Sequence, residues 1–342
     1  MIASLPTRLA SLGALALSLA VLAGCGRLVV GGGIVPVVVI APVRAEVGSV
    51  GSSPSSVVTV AAPQPPAWAS APVLRVDAAP PPVNGARAAV LLDEGSAATL
   101  FEQAAHDPLP PASVTKIATA VVALERGNLN DWVTVDVDSR VMRGSTVMGL
   151  IPGDRFTLRD LLYGMMLPSG NDATLAIARH VGGSDAAFVE DMNALLGRLG
   201  LAEGHFVNPH GLNAADHVIS ARDLALLARY AMTFPEFRTL VGTSTWVADG
   251  SRAIPLTNVI AGTLYTVPGA DGIKSGFTRQ AGRTMVVSAM RDGHRLYAVM
   301  LNDPQRESDI AALLEWGFAS FQWATPSAAL EAGGARRGGG GG

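Results

Sequence analysis

The sequence contains a single cysteine, Cys25, in 342 residues, and this residue therefore has no partner for an intramolecular disulfide. Charged residues are scarce at 15%, and the formal net charge is only −3. These values exclude the strongly basic surface that nucleic-acid binding requires. Hydrophobic residues reach 49%, but alanine inflates that figure, which does not by itself indicate a membrane protein. The length suffices for one large domain or two small ones with a substantial core.

The first 25 residues are typical of an export signal. Arg8 supplies a positive charge, and residues 9–23 form an apolar run that is shorter than the roughly 20 residues of a membrane span. The run leads into LAGC at residues 22–25, which resembles the lipobox of bacterial lipoproteins, where the cysteine is lipidated. We predict that residues 1–25 direct export and that a lipidated Cys25 anchors the protein to the membrane of the cell envelope. The alternative is an ordinary signal peptide with an incidental cysteine and a secreted or periplasmic protein, and a second, interrupted apolar run at 28–43 leaves the anchor type open.

Two segments of low complexity flank the part that we expect to fold. Residues 26–85 are rich in Gly, Pro, Ser, Ala and Val, and their proline clusters fit neither a regular helix nor a central strand. We predict a linker there, part flexible and part semi-rigid. Residues 325–342 end in two arginines and five glycines and are predicted to be a disordered tail, which leaves residues 86–324 as the folded domain.

Within this domain the sequence predicts strands at both ends and helices in the middle. Short apolar runs predict a hairpin at 87–101, and Asp292-Gly293 between two longer runs predicts another at 284–301. Residues 140–242 show helix caps but no strand pattern, so we predict an all-α subdomain there. Its helices are expected at 158–167, 172–181, 184–199 and 224–232. A final amphipathic helix at 305–321 is expected to cover the sheet.

Ser113 and Lys116 lie three residues apart in a predicted buried helix that follows two prolines and ends at Gly127. At 3.6 residues per turn the two side chains share a face. A lysine whose pKa is lowered by burial can take the proton of a serine hydroxyl, and the helix N-terminus offers N–H groups to a developing oxyanion. Because such pairs also arise by chance, this one does not establish a site alone.

Two further triplets carry suitable chemistry. Ser169-Gly170-Asn171 places a hydroxyl and a carboxamide in a tight corner between two predicted helices, although the same residues are common in ordinary turns. Lys274-Ser275-Gly276 places a cation and a hydroxyl on a predicted strand at 271–278.

In order and spacing, the three elements resemble the motifs of the penicillin-binding proteins and serine β-lactamases. Their surroundings, PASVTK at 111–116, LPSGND at 167–172, NPHGL at 208–212 and DGIKSGFT at 271–278, resemble the low-molecular-mass D-alanyl-D-alanine carboxypeptidase family. The resemblance covers residues 87–323. It implies an α+β fold, with an antiparallel sheet flanked by helices plus an all-α subdomain. The order of the predicted elements agrees, because the first and last strands must meet in one sheet.

The resemblance also implies a function, a serine-type D-Ala-D-Ala carboxypeptidase without a cofactor. Its substrate would be the peptidoglycan stem peptide, and β-lactam antibiotics would inhibit it. Ser113 would attack the carbonyl before the terminal D-alanine and form the acyl-enzyme, with Lys116 as the general base. Ser169 would relay the proton to the leaving nitrogen, and Asn171 would hold Lys116 and the substrate amide.

The third motif would bind the substrate. Lys274 and Ser275 would hold the terminal carboxylate, and Lys274 would lower the pKa of Lys116 by its charge. The N–H groups of Ser113 and Phe277 would form the oxyanion hole. Gly276 and Thr278 belong to the same implied binding strand. Ser275 stands where the family more often has threonine, and both residues carry the hydroxyl.

Larger members of the family carry a β-rich C-terminal domain and an amphipathic anchor helix. This sequence ends soon after Trp323, so we expect an N-terminal anchor to replace them.

Other polar residues were weighed as candidates. His205, His210 and His217 recur at intervals that match no zinc motif, so we predict no metal site and favour structural roles for them. Arg222 and Arg279 are candidates for contact with the substrate, and Arg279 is the better one because it follows the third motif closely.

Three alternative functions remain open on the same scaffold. A class A β-lactamase would carry a glutamate in a Glu-x-x-Leu-Asn context, and none follows Asn171, so we expect slow release of penicillin. An endopeptidase acting on cross-links would use the same residues with a different pocket. A non-enzymatic penicillin-binding sensor would retain the motifs with little turnover.

Overall fold

The computed structural model describes residues 72–82 and 84–323, except for the side chains of Leu264 and Tyr265. The predicted export signal with Cys25, most of the predicted linker and the predicted tail from residue 325 lie outside the described residues.

The described part of the chain contains thirteen strands and eight α-helices. The strands are β1 (Val73–Leu74), β2 (Ala88–Asp93), β3 (Thr99–Gln103), β4 (Trp132–Thr134), β5 (Arg155–Thr157), β6 (Gly204–His205), β7 (Val218–Ile219), β8 (Thr245–Asp249), β9 (Ala253–Thr257), β10 (Ala270–Thr278), β11 (Gly282–Arg291), β12 (His294–Leu301) and β13 (Phe321–Gln322). The helices are α1 (Lys116–Arg126), α2 (Leu158–Met166), α3 (Asn171–Gly182), α4 (Asp185–Leu199), α5 (Ala221–Ala231), α6 (Pro235–Gly242), α7 (Ala261–Thr266) and α8 (Arg306–Ser320). A 3-10 turn at Ala112–Thr115, called the Ser113 turn below, precedes α1.

One antiparallel sheet joins the two ends of the domain, in the strand order β10-β11-β12-β2-β3. Alternate side chains of its strands enter two different cores. Val90 and Val299 face the helices that include α1 and α5, whereas Leu91 and Ala298 face α8. This arrangement confirms the predicted fold class, and it leaves β10 as an edge strand.

The predicted helix caps are present in the middle of the chain. Thr157, Ser184 and Ser220 each accept a hydrogen bond from a backbone N–H in the first turn of α2, α4 and α5, at 3.1, 3.1 and 3.0 Å. The prediction that 140–242 lacks strands is wrong in detail, since it contains β5, β6 and β7. Each of these strands has only two or three residues, which is too few to show the alternation of apolar and polar residues that predicts a strand.

Two helices were not predicted. One is α6, which follows the predicted helix at 224–232 and begins at Pro235, where the missing N–H does no harm. The other is the short α7, next to β10.

The end of the predicted linker packs against the domain. β1 pairs with β13, and the Trp316 indole in α8 donates to the Ala79 carbonyl at 2.8 Å. The Gly85 N–H donates to the Asp309 carboxylate at 2.9 Å. The folded part therefore begins before the predicted boundary at residue 86. Among the described helices, none is both long enough and apolar enough to cross a membrane.

Candidate active site

The Ser113 turn differs from its prediction, because Ser113 lies in a 3-10 turn before α1 and not inside the α-helix. Pro110 and Pro111 restrict the backbone, and Ala112 adopts a left-handed φ of 53°. Ser113 keeps a partly exposed position, whereas Lys116 begins α1 with 0% exposure. The two side chains nevertheless meet, with Lys116 Nζ 3.1 Å from Ser113 Oγ.

Lys116 has three oxygen acceptors around its ammonium group. Besides Ser113 Oγ, they are Asn171 Oδ1 at 2.6 Å and the His210 carbonyl at 2.9 Å. Burial, followed by the positive charge of Lys274, lowers the pKa of Lys116 well below its usual value, and Asp172 partly opposes this. When the amine is neutral, one of its three positions becomes a lone pair, which can accept the Ser113 proton.

Asn171 is the first residue of α3 and is held from a neighbouring loop. Its Nδ2 donates to Ser145 Oγ at 2.5 Å. Asp172, fully buried, fixes that loop by accepting three backbone hydrogen bonds at 2.7 to 2.9 Å. The donors are the N–H groups of Met148, Gly149 and Leu150. Neither Ser145 nor the role of Asp172 is evident from the sequence, because loop contacts leave no periodic pattern.

Ser169 occupies the corner between α2 and α3 with a left-handed φ of 66°. Its carbonyl accepts from Thr146 Oγ1 at 2.7 Å, which holds the corner against the same loop. The Ser169 hydroxyl is buried, and it has no hydrogen-bond partner among the described residues. A buried hydroxyl without a partner is unfavourable unless function requires it, so this group is suited to bind a ligand.

Lys274 is 1% exposed on β10, and its Nζ donates only to the adjacent Ser275 carbonyl, at 3.2 Å, among the described residues. Burial and the charge of Arg306 lower the pKa of Lys274 to about 7. An anion placed there would supply the missing acceptors and restore the protonated form.

Arg306 is a residue that the sequence analysis did not single out. It lies in the first turn of α8 and donates to the carbonyls of Gly276 and Thr284, at 2.5 and 3.0 Å. Together with Ser275 it lines an open cleft next to α7. The one available signal was a cation in the first turn of a helix, where the macrodipole favours acidic residues.

Gly276 allows β10 to approach the Ser113 turn. A Cβ at this position would lie 2.7 Å from the Ser113 backbone nitrogen and 2.6 Å from Thr284 Oγ1. Phe277 follows with 64% exposure, and Thr278 Oγ1 donates to Asn213 Oδ1 at 2.7 Å. The motif therefore brings an edge strand directly beside Ser113, with Phe277 and Thr278 at the rim.

The remaining candidates lie elsewhere or act through the backbone. Arg279 is exposed after β10, and Arg222 is the second residue of α5, near Glu203 and Asp223. His210 contributes its carbonyl to Lys116, and its ring accepts from the Leu212 N–H at 3.2 Å. Among the described residues, no three His, Cys, Asp or Glu side chains are grouped as metal ligands.

The structure therefore brings Ser113, Lys116 and Asn171 into direct contact, with Lys274 close enough to act on Lys116 by its charge. Such an assembly can activate a serine hydroxyl and hold an anionic ligand near it.

Comparison with known proteins identifies the family that the three motifs resemble. A family model described as peptidase S11, D-alanyl-D-alanine carboxypeptidase, matches residues 75–305. The D-alanyl-D-alanine carboxypeptidase DacC of Escherichia coli is 36% identical over 259 residues, which cover 72% of this chain and 64% of that protein. DacB2 of Mycobacterium tuberculosis, a D-alanyl-D-alanine carboxypeptidase by name, is 34% identical over 260 residues, 74% of this chain and 89% of that protein.

The solved structures show the same fold. The crystal structure of the Streptomyces K15 DD-transpeptidase matches with a TM-score of 0.67 and 33% identity, covering 70% of this chain and 100% of that one. The chain spans slightly under two thirds of the length of the Escherichia coli relative. The family resemblance of the motifs is thus confirmed, and the chain belongs to the peptidase S11 family of D-alanyl-D-alanine carboxypeptidases.

Proposed function

We propose that this protein is a serine-type D-Ala-D-Ala carboxypeptidase that removes the terminal D-alanine from peptidoglycan stem peptides. One observation carries the proposal: a fully buried lysine with a lowered pKa lies 3.1 Å from a partly exposed serine hydroxyl. A lysine in this state is a general base, and the serine beside it is the nucleophile.

In the acylation step, Ser113 Oγ attacks the carbonyl carbon of the penultimate D-alanine while its proton passes to Lys116. The N–H groups of Ser113 and Phe277 stabilise the negative oxygen of the tetrahedral intermediate. The C–N bond then breaks, and the leaving nitrogen receives the proton from Lys116 through the Ser169 hydroxyl. Water hydrolyses the Ser113 ester in a second step and releases the shortened peptide.

The terminal carboxylate binds beside β10. Lys274 supplies one positive charge, and Arg306, whose charge acts on Lys274, supplies a second. Ser275, which lines a cleft together with Arg306, supplies a hydroxyl. Because β10 is an edge strand, its outer side can pair with an extended peptide. The peptide would then lie with its scissile carbonyl above Ser113, because Gly276 places β10 against the backbone of that residue.

The test uses the full-length protein, wild type and Ser113→Ala, with diacetyl-Lys-D-Ala-D-Ala as substrate and free D-alanine as the readout. Labelling by a fluorescent penicillin is measured in parallel. We expect release and labelling from the wild type and neither from Ser113→Ala. Labelling without release would contradict carboxypeptidase activity while retaining Ser113 as the nucleophile.

The other functions predict distinct results when penicillin, cross-linked dimers or an added amine acceptor are tested with the same protein. Rapid turnover of penicillin would indicate a β-lactamase, and cleavage restricted to cross-linked dimers would indicate an endopeptidase. Transfer of the acyl group to an added amine in preference to water would indicate a transpeptidase, the activity named for the Streptomyces K15 protein. Stable labelling with no turnover of any peptide would indicate a sensor.

We also propose that the protein is exported and anchored through a lipidated Cys25, on the basis of the signal-like residues 1–25 alone. The test compares the wild type and Cys25→Ala by cell fractionation and by metabolic labelling with a radioactive fatty acid. We expect the substitution to remove the label and release the protein from the membrane. Retention of Cys25→Ala in the membrane at the wild-type level would count against the proposal.

A further inference from the structure

A buried hydrogen-bond chain lies behind the Ser113 turn, outside the three motifs. His217 is 2% exposed, and its Nδ1 accepts from the Val207 backbone N–H at 2.9 Å. Its Nε2 lies 2.9 Å from Thr115 Oγ1, and Thr115 Oγ1 donates to the Ala112 carbonyl at 2.8 Å. The chain thus runs from a backbone donor through an imidazole and a hydroxyl to the carbonyl before Ser113.

The partners fix the direction of every bond in this chain. A backbone N–H can only donate, so His217 Nδ1 carries no proton and the neutral ring carries its proton on Nε2. Nε2 therefore donates to Thr115, which leaves the Thr115 proton for the Ala112 carbonyl. Burial lowers the pKa of His217 to about 4, which keeps the ring neutral near pH 7.

The hydrogen bond from Thr115 Oγ1 to the Ala112 carbonyl restrains the peptide unit that also carries the Ser113 N–H, one of the two proposed oxyanion donors. The Ala112 carbonyl and the Ser113 N–H belong to the same planar peptide unit and point in opposite directions. Fixing the direction of the carbonyl therefore fixes the direction of the N–H. Ala112 has a left-handed φ of 53°, a conformation that is uncommon for alanine and needs support from its surroundings.

Neighbouring contacts restrain the same unit from other sides. A Cβ at Gly211 would overlap the Ala112 carbonyl oxygen, so the backbone of that loop packs directly against it. Thr284 Oγ1 donates to the Pro111 carbonyl at 2.9 Å, which ties the preceding peptide unit to β11. Within this cage, the Thr115 hydroxyl donates to the Ala112 carbonyl and so restrains its direction.

We propose that His217 is a positioning residue for the oxyanion hole, acting through Thr115 to orient the Ala112–Ser113 peptide so that the Ser113 N–H faces the developing oxyanion. This inference rests on the proposed function, because it requires acyl transfer at Ser113. It gives a mechanistic task to a histidine for which the sequence suggested only a structural role.

The test uses two matched pairs in the full-length protein. Thr115→Val keeps the shape but removes the hydroxyl, whereas Thr115→Ser keeps it. His217→Leu removes both hydrogen bonds, whereas His217→Gln offers an amide oxygen to Val207 and an amide N–H to Thr115. The rate of acylation by fluorescent penicillin is measured on the fraction of each protein that labels to completion, so that unfolded protein is not counted.

We expect Thr115→Val and His217→Leu to slow acylation about tenfold to hundredfold, less than the complete loss of an oxyanion donor. Thr115→Ser and His217→Gln should stay within about threefold of the wild type. With the peptide substrate the loss should appear in kcat and not in KM, because the oxyanion forms only in the transition state. Affinity for a peptide boronic acid, whose tetrahedral adduct carries an anionic oxygen, should fall in parallel.

The double variant Thr115→Val with His217→Leu should be no slower than the worse single variant, because both substitutions break one chain. Equal acylation rates within each pair would overturn the inference, as would additive effects in the double variant. A lower melting temperature with an unchanged rate would also overturn it, since that is the result of a purely structural role. If the wild type itself fails to acylate, the proposed function fails first, so the two failures are distinguishable.

Discussion

Lys116, beside Ser113, and Lys274, on β10, are the only two lysines in the sequence, since the other 23 of its 25 basic residues are arginine. Both are buried, and both have lowered pKa values. Lys116 has three oxygen acceptors, whereas Lys274 has one carbonyl among the described residues. The two lysines are thus suited to different tasks. Lys116 can exchange a proton with Ser113, which it contacts, and Lys274 can bind an anion.

The surroundings explain why the tasks do not interchange. The negative charge of Asp172 raises the pKa of Lys116 and so partly opposes the effect of burial. The positive charge of Arg306 instead lowers the pKa of Lys274 further. A cation that faces another cation and lacks acceptors is stabilised by an anionic ligand. This contrast between the two lysines gives four predictions, which follow in order of decreasing expected effect on activity.

Replacing Lys116 with arginine should have the largest effect. Arginine keeps the positive charge but does not lose its proton in proteins, so it removes the base and preserves the electrostatics. We expect acylation by penicillin to fall about a thousandfold, within the range that general-base catalysis contributes. Lys274→Arg is the matched control and should lose far less, because a cation remains for the carboxylate. Equal losses in the two variants would contradict the assignment of separate tasks.

Replacing Lys274 with glutamine should weaken carboxylate binding and also change the base. We expect kcat/KM for the peptide to fall about tenfold to hundredfold, as for the loss of one charge-assisted hydrogen bond. Removing this charge should also raise the pKa of Lys116, because the charge lowers it in the wild type. Since only neutral Lys116 is a base, acylation rises with pH through that pKa, and the rise should move to higher pH.

The measurement is the acylation rate between pH 5 and 10 for the wild type and Lys274→Gln. A neutral β-lactam ester, which lacks the carboxylate, isolates the shift from the loss of binding. A profile for Lys274→Gln that coincides with that of the wild type would show that the two lysines are not coupled.

Replacing Arg306 with methionine should raise KM for the peptide about tenfold, because one cation leaves the carboxylate site. It should also raise the pKa of Lys274 from about 7, since the Arg306 charge lowers it. Below its pKa Lys274 is protonated and binds the carboxylate, so the increase of KM at alkaline pH should begin at higher pH in the variant.

Arg283→Met is the control for Arg306→Met, because Arg283 contacts the same Glu307 carboxylate but points to solvent. The pH dependence of KM is measured for both. An unchanged KM in Arg306→Met would show that Arg306 does not contribute to binding of the substrate carboxylate.

Replacing Asp172 with asparagine should change the acylation rate least and the stability most. The carboxylate accepts three backbone hydrogen bonds from the loop and a fourth from the Ala173 N–H, and an amide presents an N–H to at least one of those donors. We expect a loss of about 1–3 kcal/mol in the free energy of unfolding, measured by denaturant titration. Because Asp172 raises the pKa of Lys116, its neutralisation should move the acylation profile to lower pH, opposite to Lys274→Gln. A shift in the same direction in both variants would contradict the electrostatic assignment.

The sequence predicted the parts of this site that depend on local pattern. Caps at Thr157, Ser184 and Ser220 identified the helices, and the Asp292-Gly293 turn identified the hairpin that follows β10. The order of the three motifs placed Ser113, Lys116, Asn171 and Lys274 together, because their spacing resembles that of a known family.

What the sequence could not predict depends on contacts between distant residues. Arg306 reaches β10 only after β11 and β12 return the chain to the end of the sheet where β10 ends. His217 meets Thr115 across 102 positions of sequence, through a loop without periodicity. The 3-10 conformation of the Ser113 turn replaces the predicted α-helix because Ala112 takes a left-handed φ, which no residue pattern indicates for alanine.

The most direct test of the contrast between Lys116 and Lys274 uses the fact that they are the only lysines in the sequence. Full-length protein with ¹³C at the lysine ε-carbon should give two lysine signals by NMR, which the Lys116→Arg variant assigns. Titration should show the Lys116 signal changing with a midpoint well below the ordinary lysine pKa of about 10.4. A Lys116 midpoint at that ordinary value would show that Lys116 stays protonated near neutral pH, and it would contradict its assignment as the base that activates Ser113.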